Sequence, residues 1–160
     1  MDALGATHLV FGVSALVVGA GVVLNRKGTR AHRTAGHLYF TSMLGLNLTG
    51  LFIYRLTGGF NFFHAAALIS LACVLAGLAP VLLRRPRKGW LHWHGGVMSG
   101  AYIGLVAAAV SEVVTRVPGW DFGVAVGAAT AFVSALGAYL IRTRMGAAIA
   151  GIPARGSRDD

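Results

Sequence analysis

Residues 6–24, 37–54, 62–83, 94–114 and 122–141 contain no lysine, arginine or aspartate, and between them a single glutamate. Each stretch is close to the roughly 20 residues an α-helix needs to cross a bilayer. A chain built this way has almost nothing left for a soluble surface. It reads as an all-α protein, a transmembrane helical bundle of five spans. The bundle is a single unit over residues 1–144, followed by a short, frayed cytoplasmic tail over 145–160. Mean hydropathy of +0.68 and a charged fraction of 12% agree.

The charges set the expected orientation. Arg26, Lys27, Arg30 and Arg33 fall between the first two stretches, Arg84, Arg85, Arg87 and Lys88 between the third and fourth, and Arg142, Arg144, Arg155 and Arg158 after the fifth. Those twelve of the fourteen basic residues share one side if every stretch crosses, leaving Arg55 and Arg116 opposite. The positive-inside rule then places the N-terminus outside and the C-terminus in the cytoplasm, in the cell's inner membrane. The first residues lack the basic start of a signal peptide, so the first stretch is expected to stay as a span. A net charge of +9 would suggest nucleic acid in a soluble protein. Flanking spans, it points to anionic lipid headgroups and to no nucleic acid. One cysteine, Cys73, excludes an intramolecular disulfide.

Turns are expected at Gly58-Gly59 and Pro118-Gly119 on the outer side and at Gly28, Pro86 and Gly89 on the inner. Pro80 is placed to bend the third span. Gly96, Gly100 and Gly104 recur every four residues, as do Gly123 and Gly127. That spacing lets helices approach closely, within a chain or in a homo-oligomer; a flat porphyrin against the same smooth face is the alternative.

Function must come from what interrupts the apolarity. Six histidines all lie at span ends. His8 and His64 fall at the outer ends of spans one and three, His37 and His94 at the inner ends of spans two and four, with His32 and His92 in the adjoining basic loops. Glu112 is the only acid inside a span, level with His8 and His64, and an acid in that setting needs a partner. Two histidines and a carboxylate suit zinc, iron or copper with positions left open; Arg116, at i+4, is the competing partner.

Helical phase sharpens these expectations. His94 and Glu112 are eighteen residues apart, about five turns, and so share a face with Met98, Ala101, Leu105 and Ala108. His92 and His94 point about 200° apart, and His94 is taken as the inward one. His8, Gly12, Ala15 and Gly19 form a stripe that turns His8 toward a neighbour. In span three, Ala66, Ser70, Cys73 and Gly77 lie opposite His64, whose own face carries Leu68, Leu71 and Leu75. Asn47 is expected to bond across helices or to touch a quinone or substrate.

The segments Arg26-Lys27-Gly28-Thr29, His32-Arg33, Gly36, Asn61-Phe62-Phe63-His64 and His92-Trp93-His94 resemble an uncharacterised bacterial family of small multi-span membrane proteins with recurrent histidines. The resemblance implies no activity. A weaker similarity, through His32-Arg33, is to membrane proteins that assist cytochrome oxidase maturation, and it assigns no ligands. Three functions fit. The first is a transition-metal protein with His8, His64 and Glu112 as ligands and a second polar site at His37 and His94, serving a respiratory or redox membrane complex. The second is a small b-type cytochrome, with His8/His64 and His37/His94 each gripping a haem. The third is a ligand-free subunit or assembly factor. The metal reading leads because it alone uses Glu112. No Ser/His/Asp set, phosphate-binding loop or paired cysteine motif points to hydrolysis, nucleotide use or dithiol chemistry.

Overall fold

The computed structural model describes residues 2–54, 58–83 and 89–152. They form five helices: α1 (Ala3–Leu24), α2 (Arg30–Gly50), α3 (Phe62–Leu83), α4 (Trp90–Val114) and α5 (Phe122–Ala150). Arg55, the basic run Arg84, Arg85, Arg87 and Lys88 with Pro86, and the arginines Arg155 and Arg158 lie outside the described residues.

Short polar side chains start three of the helices. Asp2 accepts from the Gly5 N–H at 2.9 Å, Thr29 from His32 at 3.1 Å and Asp121 from Val124 at 2.9 Å, each satisfying one of the donors a helix N-terminus leaves free. The Thr29 cap has a consequence at α2. It starts the helix seven residues ahead of the expected apolar stretch and brings Arg30, His32 and Arg33 into it. At the far end Leu51 caps α2, so Tyr54 lies beyond the helix.

Four of the helices, α1, α3, α4 and α5, are long and apolar enough to cross a membrane. The expected count of five is thereby corrected at α2. Its basic first turn and the polar side chains of Thr41, Ser42, Asn47 and Thr49 lower its hydropathy below that of a self-sufficient span. Three of those side chains turn back on their own helix: Thr41 donates to the His37 and Leu38 carbonyls, Asn47 to Met43 and Thr49 to Gly45. Such internal bonds lower the cost of polar groups among apolar neighbours.

Helices α1 to α4 form an antiparallel ring in chain order, each packed on the next and α4 closing on α1. Its centre holds Ala15, Tyr39, Met43, Val74, Ala101 and Leu105, so α2 contributes two of the six central side chains despite its polarity. Ala15 and Gly19, on the small-residue stripe of α1, are that helix's two buried positions. Their smallness admits two aromatic rings. Tyr102 donates its hydroxyl to the Leu16 carbonyl at 3.1 Å, and its ring meets Tyr39 edge-on, centroids 6.1 Å apart. With lipid outside, close fit of this kind holds the helices together in place of a hydrophobic driving force.

Helix α5 lies outside the ring against α4, with Ile103 seated over Gly137. It continues to Ala150, six residues into the stretch expected as tail, and Met145 reaches Gly95. Beyond it, the Ile152 side chain lies against Gly28 in the α1–α2 turn. Gly28 has φ +78 and a Cβ there would meet Ile152 at 3.3 Å, so both backbone and space call for glycine.

Candidate functional site

At the basic end of the ring, Pro80 inside α3 organises the neighbouring side chains. Pro80 has no N–H for the Ala76 carbonyl and its ring crowds that turn. The Trp93 indole N–H of α4 fills the vacancy, donating to the Ala76 carbonyl at 3.0 Å. One residue along each helix, His94 Nδ1 bonds the Gly77 carbonyl at 2.7 Å. A carbonyl can only accept, so Nδ1 carries the proton and Nε2 is left with a bare lone pair. His94 turns into the bundle and His92 is exposed.

His32 is the second imidazole at this end. It lies in the basic stretch ahead of the apolar part of α2. Burial pushes its pKa down, and the nearby charge of Lys27 pushes the same way. A bond to the Val22 carbonyl opposes them. His32 Nδ1 is buried with no hydrogen-bond partner among the described residues. Lys27 is tied down beside it, donating to the Val22 and Val23 carbonyls at 2.8 and 2.7 Å. Burial lowers its pKa as well. His37, the expected partner of His94, is exposed. Sequence spacing contained the better choice: His32 lies seven residues, two turns, before the inward Tyr39, whereas His37 lies two residues before it, on the opposite face.

The outer end carries the other histidines. His8 Nδ1 lies 3.1 Å from the Thr49 hydroxyl, which donates to the Gly45 carbonyl and so accepts from the ring. Gly50 leaves room for that ring, since a Cβ there would meet His8 at 3.2 Å. His64 is 2% exposed. Tyr54 stacks on it, centroids 4.6 Å apart, and Phe60 lies at 5.3 Å. Thus His64 is buried although its own helix face is the leucine face, because aromatics flanking the α2–α3 loop cover it. The Asn61 N–H donates to His64 Nδ1 at 3.2 Å. In the neutral ring the proton therefore sits on Nε2, a buried donor with no partner among the described residues. That is opposite to the usual metal-ligating histidine, which donates from its second nitrogen to an acceptor.

Glu112 is 66% exposed and its carboxylate is bonded to Arg116, the competing partner named by the sequence. Its charge reaches His8, but the side chain leans out of the bundle. Among the described residues no group of three or more His, Cys, Asp or Glu side chains is placed to hold one metal ion. His8, His64 and Glu112 thus occupy one level of the bundle with separate partners. Between the two levels, the Tyr39 hydroxyl is also buried with no partner among the described residues. Ser111, unremarked in the sequence, is a fourth such group.

Comparison with known proteins gives one match. The family model described as "Predicted membrane protein (DUF2306)" covers residues 5–147. No curated protein and no solved structure matches, and the likeness to cytochrome oxidase maturation proteins is not among the findings.

Proposed function

The chain belongs to the DUF2306 family of predicted membrane proteins, and we propose that it holds a transition-metal ion between His32 and His94 at the basic end of its bundle. The observation that carries this reading is a pair of bare imidazole nitrogens. His94 Nε2 is left free by the Gly77 bond, and His32 Nδ1 is buried without a donor. His94 is near enough to influence the charge of His32, and imidazole nitrogens without a proton donor suit an electrophile. A carbonyl on the second nitrogen is the usual means of orienting a metal-bound histidine. The Met98 thioether, one turn along α4 and packed at Gly77, is a soft third donor. With neutral ligands and Lys27 beside them, a monovalent ion costs less to bury than a divalent one. Copper(I) therefore suits the site better than zinc or iron. Few, neutral donors at a membrane surface fit a protein that passes metal to a respiratory or redox complex. The haem reading has weaker support, since its second inner ligand, His37, faces away.

The membrane placement belongs to the same proposal. The basic end of the bundle lies in the cytoplasm. Single cysteines introduced at Gly58 and Gly89, with Cys73 replaced by serine, are expected to label from opposite sides of the inner membrane. Labelling of both from one side would contradict the crossing of α3.

Copper(I) binding to purified, detergent-solubilised protein under reducing conditions, measured by competition with a chromophoric chelator, tests the site. One equivalent is expected. His94→Ala and His32→Ala should each weaken binding at least about 10-fold, while His37→Ala and Glu112→Gln leave it unchanged. Both imidazoles must be neutral to bind, and burial already favours that form at His32. His32 is thus expected to remain a ligand through neutral pH and to be lost only in acid. Unchanged affinity in His32→Ala would overturn the assignment.

A further inference from the structure

Helix α5 is longer than a bilayer requires. Its 29 residues measure about 44 Å at 1.5 Å per residue, against a hydrocarbon core of roughly 30 Å. Met145 is level with Gly95 at the start of α4, so the last turns of α5 stand past the membrane at the basic end. Met145, Ala148, Ile149 and Ile152 fall at i, i+3, i+4 and i+7 and are all partly buried, while the residues between them are exposed. An apolar stripe of that spacing packs on protein. It has two footings. The Met145 sulfur lies 3.6 Å from where a Cβ on Gly95 would stand, and Ile152 Cγ2 lies 3.3 Å from where one on Gly28 would stand.

The chain turns at its helix end to reach the second footing. The Gly151 N–H donates to the Ala147 carbonyl at 3.2 Å and the Ile152 N–H to the Ile149 carbonyl at 3.1 Å, so Ile152 moves with the helix end. Helix α5 packs along α4, and Ile152 carries its end across to the α1–α2 turn. That turn ties Lys27 to the Val22 and Val23 carbonyls and starts α2 with the Thr29 cap, three residues before His32. Helices α2 and α4, which carry the two imidazoles, stand diagonally across the ring. The end of α5 thus joins the two sides of the site, one footing next to His94 and the other in the turn that leads into His32.

We propose that this end of α5 is a strap across the metal site, which must lift from Gly28 before an ion enters or leaves. The inference rests on copper(I) binding at His32 and His94. The two footings differ in strength. Met145 continues the long seam of α5 on α4, in which Ile103 is seated over Gly137. The far footing is one half-buried isoleucine against a glycine, and contacts this small at a helix end open locally while the rest of the fold stays closed. Lifting would free the α1–α2 turn and uncover His32; closing would keep competing ligands from a site with few donors.

Release of copper(I) from the loaded full chain in detergent to an excess of chromophoric chelator, followed by stopped flow, tests the strap. Ile152→Ala should speed release about 3- to 10-fold, the factor for losing about half of one buried isoleucine, and Ile152→Leu should stay near the wild-type rate. Loading passes the same gate, so equilibrium affinity should change far less than the rate. In the metal-free chain, amide hydrogen exchange over residues 146–152 should quicken in Ile152→Ala; unchanged exchange would mean that Gly28 does not hold the helix end and overturns the inference. One equivalent of copper(I) bound through His32 and His94 but released by Ile152→Ala at the wild-type rate overturns the strap alone. An affinity that falls as much as release speeds up makes Ile152 a support of the folded site and overturns the gate. Absence of copper(I) binding in the wild-type chain removes the metal reading, and the strap's role with it.

Discussion

Gly19→Ala is expected to destabilise the bundle by about 1–3 kcal/mol, the usual cost of overfilling a packed core, and Gly19→Leu to prevent the four-helix ring from closing. A Cβ on Gly19 would stand 2.5 Å from two ring carbons of Tyr102 and 3.0 Å from Tyr39. Neither ring can easily give way. Tyr102 is tethered by its hydroxyl to the Leu16 carbonyl, and Tyr39 is 2% exposed at the centre of the core. Gly77, by contrast, faces the flexible end of Met98 and should tolerate alanine better. Thermal unfolding in detergent, followed by circular dichroism, measures the loss. Tyr102→Ala destabilises on its own, but in the double variant the two costs should fall short of their sum by about 1 kcal/mol or more, because the clash is gone. Strict additivity, or a wild-type melting temperature for Gly19→Ala, would rule out the close approach.

The sites differ in how far periodicity could reveal them. The stripe on α1 and the choice of His94 over His92 were legible because each lies on one helix whose phase is set by its own small and apolar residues. His37 lies on the exposed face of α2, and hydropathy, which ignores the Thr29 cap, leaves His32 outside that helix. With the helix begun at Arg30, Tyr39, Met43 and Asn47 are its buried residues, and His32 is the histidine in register with them. Glu112 shares the phase of His94, yet a long charged side chain near a helix end can reach outward to Arg116, and depth outweighs phase. His64 is buried from outside its helix, by Tyr54 and Phe60, and the course of a connecting loop leaves no period in a sequence. Ser111 was invisible for a plainer reason. A serine in a span is ordinary until the structure shows that its hydroxyl has been left alone.

Pro80 joins stability to the proposed metal site, and a double-mutant cycle should expose the link. Ala76 lies about 10 Å along α3 from its inner end, at 1.5 Å per residue, where an unbonded carbonyl finds little water. Trp93→Phe removes the indole N–H that serves it and should cost about 1–3 kcal/mol. Pro80→Ala returns a backbone N–H to the same carbonyl, making the indole redundant, so in that background Trp93→Phe should cost only what the smaller ring loses in packing. The difference, read from unfolding in detergent, isolates the bond between helices. Equal costs in the two backgrounds would mean that Trp93 merely packs there. Pro80→Ala also removes the ring that crowds the turn presenting the Gly77 carbonyl to His94. The imidazole would then lose the acceptor that fixes its proton on Nδ1 and its lone pair on Nε2. Copper(I) affinity should fall about 10-fold, as when an orienting partner of a ligand is removed, even though no donor to the metal has been touched and the fold is no less stable. Full affinity in Pro80→Ala would show that His94 is held by its packing alone.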